Sequence, residues 1–311
     1  MPAPRPFRFG VQASAATTRT EWVEIARRAE DLGYSVLTVA DHLDDQFATT
    51  PALMAAADAT TTVRIGSLVY ANDYHHPAML AKEAATLDVL SDGRLELGLG
   101  AGWMREDYDG AGIPFDPPAT RIARLAEAVT VIKALLSDEP CAFTGEHYTV
   151  HMAGSPKPVQ RPHPPILIGG GGRSILTLAA READIIGLNI DLRSGRIDAS
   201  AGPTASAEAT DEKIRWIRDA AGARFADIEL QVRIHLALVT DDIAGVAESL
   251  APAFGLTPEQ GLDTPHALAG SVDQIVETCL ARRERFGIST IGLSLDVMDT
   301  MAPVVARLAG T

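Results

Sequence analysis

The chain has 311 residues, 46% hydrophobic and 22% charged, enough for one large or two ordinary domains with a sizeable core. Its 41 acidic against 27 basic residues give a formal charge of −14, the wrong sign for neutralising phosphates along nucleic acid, so no nucleic-acid partner is expected. Two distant cysteines, Cys141 and Cys279, exclude a disulfide framework or zinc knuckle, and no run reaches the roughly 18 apolar residues of a spanning helix, so no membrane partner and a reducing, cytoplasmic location are expected.

Short apolar runs, β-branched or broken by glycine, recur along the chain and read as strands. Phe7–Gln12 is the first. A helix follows, opened by the capping box Thr18-x-x-Glu21, with an apolar stripe through Trp22, Ile25, Ala26, Ala29 and Leu32 and a stop at Gly33. Ser35–Ala40 and Val63–Val69 are the next strands. A helix from about Pro77 carries Leu80, Ala84, Leu87 and Leu90 and breaks at Asp92-Gly93, before a strand at Leu95–Gly100. Arg121–Leu136 reads as a helix, and Pro165–Gly169 and Asp184–Ile190 as strands without polar alternation, the mark of strands covered on both faces. Glu212–Phe225 is a helix, Ile228–Val239 a strand, Ser271–Phe286 a helix ending at Gly287, and Thr290–Asp296 the eighth strand. Strand then helix, repeated about eight times, predicts an α/β fold, a (β/α)8 TIM barrel. The fourth and fifth strands start 70 residues apart, so Cys141–Pro165 is expected as an insertion with a short hairpin after the fourth unit. Asp191–Thr210, rich in Ala, Ser, Gly and Asp, is expected as a long mobile loop.

In such barrels the chemistry gathers at the C-terminal ends of the strands. Those ends carry Gln12 and Ser14, Asp41-His42, Leu68–Asn72, Ala101-Gly102-Trp103, Gly169–Gly172, Asn189, His235 and Asp296. Asp41-His42 sets an imidazole beside a carboxylate, an arrangement for acid/base work near neutral pH, with a loop-capping histidine as the alternative. His75-His76 lack the spacing of metal ligands, so no metal is expected, and a solvated or substrate-facing loop is. His235 is expected as a satisfied core histidine. Gly98-Leu-Gly100-Ala-Gly102 lacks the dinucleotide spacing and reads as close packing or the approach of a planar ligand. Gly169-Gly170-Gly171-Gly172-Arg173-Ser174 offers bare amides, a helix N-terminus and an arginine to a phosphate, or is a turn without ligand. Lys82, Lys133, Lys157 and Lys213 all fall away from strand ends, which argues against Schiff-base and pyridoxal-phosphate chemistry. A phosphate-bearing organic cofactor doing redox work remains.

The segment from His76 to Trp103, with Glu83-Ala-Ala-Thr-Leu-Asp88 and Leu90-Ser-Asp-Gly-Arg-Leu-Glu-Leu-Gly-Leu-Gly100, resembles the signature of luciferase-like monooxygenase-fold oxidoreductases. Asp41-His42, Pro165-Ile-Leu-Ile-Gly-Gly-Gly-Gly172, Ala180-Arg-Glu-Ala-Asp184 and Gly270-Ser-Val-Asp-Gln274 extend the resemblance over nearly the whole chain. It implies a single TIM-barrel domain over residues 1–311, a homodimer, and either FMN or the deazaflavin coenzyme F420. Asp41-His42 and the four-glycine loop are similar to the F420-dependent branch. That likeness implies hydride transfer between F420 and a small organic substrate, by reduction of an activated double bond or oxidation of an alcohol. It further implies that Asp41 hydrogen-bonds the deazaflavin, that His42 stands near the hydride-transfer carbon as acid/base partner, and that Trp103 lines the substrate side. Ser67, Leu68 and Val69 are implied to form a bulge with a non-proline cis peptide that supports the ring. Gly169, Gly170, Gly171, Gly172 and Arg173 are implied to hold the phosphate, and Asn72 or Glu106 to lie near the ring or its side chain. F420-dependent sugar-phosphate dehydrogenases carry a glutamate where this chain has Trp103, whose face suits an apolar or planar substrate. Arg105, Arg173 or Arg193 are expected to attract the coenzyme's acidic tail. An FMN-dependent monooxygenase is the alternative, and a non-catalytic cofactor-binding protein the second alternative.

Overall fold

A computed structural model describes residues 4–14, 16–196 and 201–311. Eight parallel strands close into a barrel: β1 (Arg8–Gln12), β2 (Val36–Val39), β3 (Arg64–Ser67), β4 (Leu95–Gly100), β5 (Ile166–Gly170), β6 (Ile185–Leu188), β7 (Glu229–Arg233) and β8 (Ile288–Ser294). Each pairs with its successor, and β8 returns to β1 with Gly10 opposite Gly292. The β3–β4 seam pairs at Ile65 and Gly66 and resumes at a short strand, Tyr70–Ala71, opposite Leu99 and Gly100.

Eleven helices are described: α1 (Arg19–Asp31), α2 (Thr49–Ala59), α3 (Pro77–Leu90), α4 (Arg105–Ala111), α5 (Pro118–Leu136), α6 (Arg173–Glu182), α7 (Ala207–Ala221), α8 (Ile243–Leu250), α9 (Pro258–Asp263), α10 (Val272–Phe286) and α11 (Met298–Leu308). The Thr18–Glu21 capping box opens α1 and the Ser271–Gln274 box opens α10 as their sequences predict. Among the described residues no helix is long and apolar enough to cross a membrane.

Three expectations are corrected. The seventh apolar run splits, because only Glu229–Arg233 lies in the barrel while Leu236–Val239 leaves it to pair in parallel with Ala267–Gly270. The helix expected from Glu212 starts at Ala207, where the Ser206 hydroxyl accepts from the Ala209 amide at 3.1 Å. That start shortens the loop expected to run to Thr210, of which residues 197–200 lie outside the described residues and Gly202–Ala205 forms a 3-10 turn. The insertion does carry a hairpin, Cys141–Thr144 with Thr149–Met152, whose turn amides at Glu146, His147 and Tyr148 donate to the Glu127 carboxylate on α5.

Side chains alternate across each strand, so one set faces the lumen. Its lowest layer is ionic: Arg8 pairs with Glu96 and with Glu229 at 2.8 Å, and Arg64 with Glu96 at 2.7 Å. The layer above carries Gly10, Gly66, Gly98, Gly169, Gly187 and Gly292, with Thr38 and Gln231 between them. Val69 fills that hollow, since its methyl carbons crowd the places where side chains at Gly98 and Gly100 would go and pack in ordinary contact beside Gly169. The bulge that carries Val69 holds the Leu68–Val69 peptide in cis. The expectation of close packing at the β4 glycines is met by this protein segment. A Cβ on Gly98 would lie 2.0 Å from the Ser67 carbonyl oxygen, whereas one on Gly110 in α4 meets nothing within 4 Å. Gly98→Ala is therefore expected to lower unfolding free energy by about 3 kcal/mol or more, and Gly110→Ala to be neutral or mildly stabilising, in parallel urea titrations.

Candidate functional site

A cleft of about 630 Å³ opens at the C-terminal ends of the strands. Asp41, His42, Leu68, Val69, Trp103, Gly169 through Gly172 and Arg173 line it, so most of the residues singled out in the sequence meet in one place. Ser67 lies beneath, its hydroxyl donating to the Gly98 carbonyl at 2.7 Å and accepting from the Gly98 amide at 3.0 Å. Asn72 is buried and donates to the Tyr148 hydroxyl at 3.2 Å, away from the cleft lining. Glu106 is exposed on α4 and also stands off the cleft.

The adjacent pair Asp41-His42 does not work as a pair. The Asp41 carboxylate receives the Ala71 amide at 3.0 Å and His75 Nε2 at 2.8 Å, with the Thr49 hydroxyl 3.1 Å away, and so locks the end of β2 to the strand Tyr70–Ala71. His42 turns the other way, its Nδ1 2.7 Å from Asp107 Oδ2. Asp107 is 6% exposed, and its other oxygen accepts the Leu43 amide at 3.3 Å. A carboxylate on Nδ1 fixes the tautomer, which leaves Nε2 as the acceptor of the neutral ring. The His42 ring meets Trp103 edge-on, with centroids 5.7 Å apart. His75, expected in a solvated or substrate-facing loop, is instead the partner of Asp41, and His76 caps α3 by accepting from the Ala78 amide at 3.2 Å.

Asp107 has no motif around it and was missed in the sequence, as was Arg121. That guanidinium is 3% exposed, stacks on Phe115 at 4.3 Å and donates to the carbonyls of Ala101, Gly102 and Asp116, so it holds the loop that presents Trp103.

At the far wall, the glycine loop leads from β5 into α6, whose N-terminus has no side-chain cap. A Cβ on Gly171 would lie 2.2 Å from the Ile190 carbonyl oxygen, so this position has room for glycine alone. Arg173 and Arg193 flank the loop in the cleft wall, and Arg193 is paired with Asp191. Arg105 stands off, stacked on Phe115 at 4.6 Å. Gln231 Oε1 and Arg233 Nη1 are buried without a hydrogen-bond partner, while Arg233 Nη2 donates to the Ser294 hydroxyl at 2.7 Å. Bare amides, flanking guanidinium groups and unpaired polar atoms at the cleft floor fit a planar, phosphate-bearing cofactor.

Lys213 lies on α7 as expected, but its long stem carries Nζ to the end of β6. There it donates to Asn189 O at 2.7 Å and Thr204 O at 2.6 Å, and burial brings its pKa down to about 8 against the opposing charge of Asp191. His235 also departs from expectation. It lines the cleft rather than the core, is exposed, and donates Nε2 to Asn189 Oδ1 at 2.8 Å. Behind it His266 is 3% exposed, with Nδ1 2.8 Å from the Arg233 carbonyl, and burial followed by Lys213 pushes it down to about 3.

The unfolded chain takes up the His266 proton near pH 6.5 and the fold only near pH 3, so its contribution is complete above 6.5 and is lost as pH falls toward 3. Between pH 7 and pH 5 the chain is expected to lose about 2 kcal/mol more stability to urea than its His266→Phe variant. Equal losses would show that His266 ionises alike in both states.

Comparison with known proteins places this architecture. The family model for luciferase-like monooxygenase matches residues 5–257. An F420-dependent glucose-6-phosphate dehydrogenase of Nakamurella multipartita is 29% identical over 289 residues, which cover 88% of this chain and 80% of that protein. Among solved structures, the coenzyme F420 dependent tetrahydromethanopterin reductase of Methanopyrus kandleri aligns with a TM-score of 0.77 at 17% identity, over 98% of this chain and 99% of that one. An F420-dependent secondary alcohol dehydrogenase in complex with an F420-acetone adduct aligns with a TM-score of 0.75 at 22% identity, over the same shares. Both structures share the barrel fold. With the family model matching over most of its length, the chain belongs to the luciferase-like monooxygenase family.

Proposed function

We propose that the protein is an F420-dependent oxidoreductase that moves a hydride between the coenzyme and a small organic substrate, either reducing an activated double bond or oxidising an alcohol. One observation carries this reading: a single cleft joins an uncovered glycine loop to an imidazole whose orientation a buried carboxylate fixes. The F420-dependent dehydrogenase among its relatives supports F420 over FMN. When bound, coenzyme F420 supplies the hydride donor or acceptor at a ring carbon. The amides of Gly169 to Gly172 with Arg173 bind its phosphate, Arg193 attracts its acidic tail, and Leu68 and Val69 support the ring. Asp41 is a positioning residue, since its oxygens are occupied by Ala71 and His75 with Thr49 beside them. Asn72 and Glu106 stand away from the cleft lining.

His42 Nε2 accepts the hydroxyl proton of an alcohol as hydride leaves its carbon, or returns a proton in the reductive direction, while Asp107 stabilises the charged ring. Trp103 and Arg121 shape the substrate side, and the indole face suits an apolar or planar substrate better than a sugar phosphate. A homodimer in the cytoplasm completes the reading.

The test is a titration of the purified protein with F420 and, separately, FMN, followed by quenching of tryptophan fluorescence. Tight F420 and weak FMN binding are expected, and Gly171→Ala is expected to weaken F420 binding. A preference for FMN would overturn the F420 reading in favour of oxygen-dependent chemistry. Asp107→Asn is expected to lower kcat by about 100-fold or more while F420 affinity stays within a factor of a few. Unchanged turnover in His42→Ala with ligand still bound would remove His42 from the acid/base role.

A further inference from the structure

Asp41-His42 and Tyr74-His75 are two adjacent pairs whose members part company. Asp41 takes His75, while His42 and Tyr74 both turn to Asp107. Asp107 Oδ2 accepts from His42 Nδ1 at 2.7 Å and from the Tyr74 hydroxyl at 3.4 Å, and Oδ1 accepts the Leu43 amide at 3.3 Å. One carboxylate oxygen therefore serves an imidazole and a phenol that both line the cleft.

The chain fixes the phenol from both sides. Tyr74 ends a 3-10 turn, Asn72–Tyr74, in which Asn72 is buried and tied to the Tyr148 hydroxyl at 3.2 Å. On the other side His75 is anchored on Asp41, which also receives the Ala71 amide. The Tyr74 ring meets the buried Tyr108 edge-on, with centroids 5.2 Å apart. Tyr108 itself points away from Asp107, since its hydroxyl donates to Asp73 Oδ2 at 3.0 Å. The charged groups around them are engaged elsewhere: Asp73 pairs with Arg124 at 2.8 Å, and Arg121 donates to the carbonyls of Ala101 and Gly102. Burial, followed by the charges of Asp107, Tyr108 and Asp41, raises the Tyr74 phenol above its ordinary value, so it keeps its proton and serves as a donor.

An oxygen that accepts two donors has less charge to offer each of them. The phenol draws on the same oxygen that stabilises a protonated His42, and so opposes protonation of the ring. We propose that Tyr74 is a positioning residue that acts through Asp107 to set the pH at which His42 takes up a proton, holding it lower than Asp107 would without the phenol. The consequence for turnover rests on the oxidoreductase reading with His42 as acid/base partner. The coupling itself is tested without coenzyme or substrate.

The experiment follows the imidazole nitrogen shifts of the full chain, labelled with 15N-histidine, as a function of pH, with the His42 and His75 signals identified by their loss in His42→Ala and His75→Ala. Because 3.4 Å is at the long end for such a bond, Tyr74→Phe is expected to raise the His42 midpoint by about half a pH unit, roughly threefold in the protonation equilibrium. His75, the next residue along, is expected to stay within about 0.2 unit, because it answers to Asp41. In an Asp107→Asn background Tyr74→Phe is expected to add no more than about 0.1 unit, since the relay is already gone. No rise at His42, an equal rise at His75, or the same rise with Asp107→Asn would each overturn the proposal. In alcohol oxidation, the acid-side limb of kcat in Tyr74→Phe is expected to move up by the same half unit or so, because the neutral ring is the base. The expected shifts at His42 together with unchanged turnover in His42→Ala would instead remove His42 from the acid/base role and leave the coupling through Asp107 standing.

Discussion

The site depends on one packing constraint, the seating of Val69 inside the barrel. A barrel lumen is ordinarily filled by branched side chains from all its strands. Here glycine occupies that layer on most strands, and the hollow is filled from above by a residue that follows β3. The consequence is mutual. Val69 and the Ser67 carbonyl approach β4 so closely that Gly98 and Gly100 have no room for a Cβ, and β4 pins the bulge through the two hydrogen bonds between Ser67 and Gly98. Leu68 and Val69 thus become the floor of the cleft, held by the fold instead of by a flexible loop.

Around that floor, two carboxylate–imidazole pairs divide the labour. Asp41 and His75 join β2 to the segment after the bulge, and this fixes where the chain emerges into the cleft. Asp107 and His42 hydrogen-bond at the cleft rim, where the partly exposed imidazole can meet a ligand and its buried partner cannot. Burial sets the roles. A carboxylate shielded from water keeps its orienting bond to the ring, and the other nitrogen is left without it.

The strongly acidic chain carries a cleft with several cations. Arg121, Arg233 and Lys213 are anchored largely by carbonyl or hydroxyl oxygens, whereas the floor of the barrel below is paired ion to ion. Local geometry therefore outweighs net charge in deciding what the site attracts, since interactions between charges further apart than a Debye length are screened. Burial, followed by the charge of Lys213, keeps His266 neutral behind the cleft wall.

Most of the barrel is legible in the sequence because its signals are local. Caps such as Thr18–Glu21, stops such as Gly33 and short apolar runs act over a few residues, and the regular spacing of strand and helix permits few topologies. The strand ends point to the cleft for the same reason, and the glycine loop is readable as bare backbone at a helix start. Helix α2 escaped notice because its N-cap is an alanine without a side-chain cap, and the seventh run hid a departure from the barrel because both halves are equally apolar. Partnerships were out of reach. Neighbours in sequence suggested Asp41 for His42, but the strand end turns the two side chains apart, and the partner that closes on His42 is Asp107, 65 positions away. Lys213 likewise belongs to a helix by its backbone and to the end of β6 by its amine, because a four-carbon stem spans the gap. Composition and periodicity determine which segments form and which ends converge, since those depend on each residue's own chemistry. Which carboxylate orients which imidazole, and which nitrogen is left without a partner, only barrel closure decides, because hydrogen bonds act over about 3 Å in space whatever the separation along the chain.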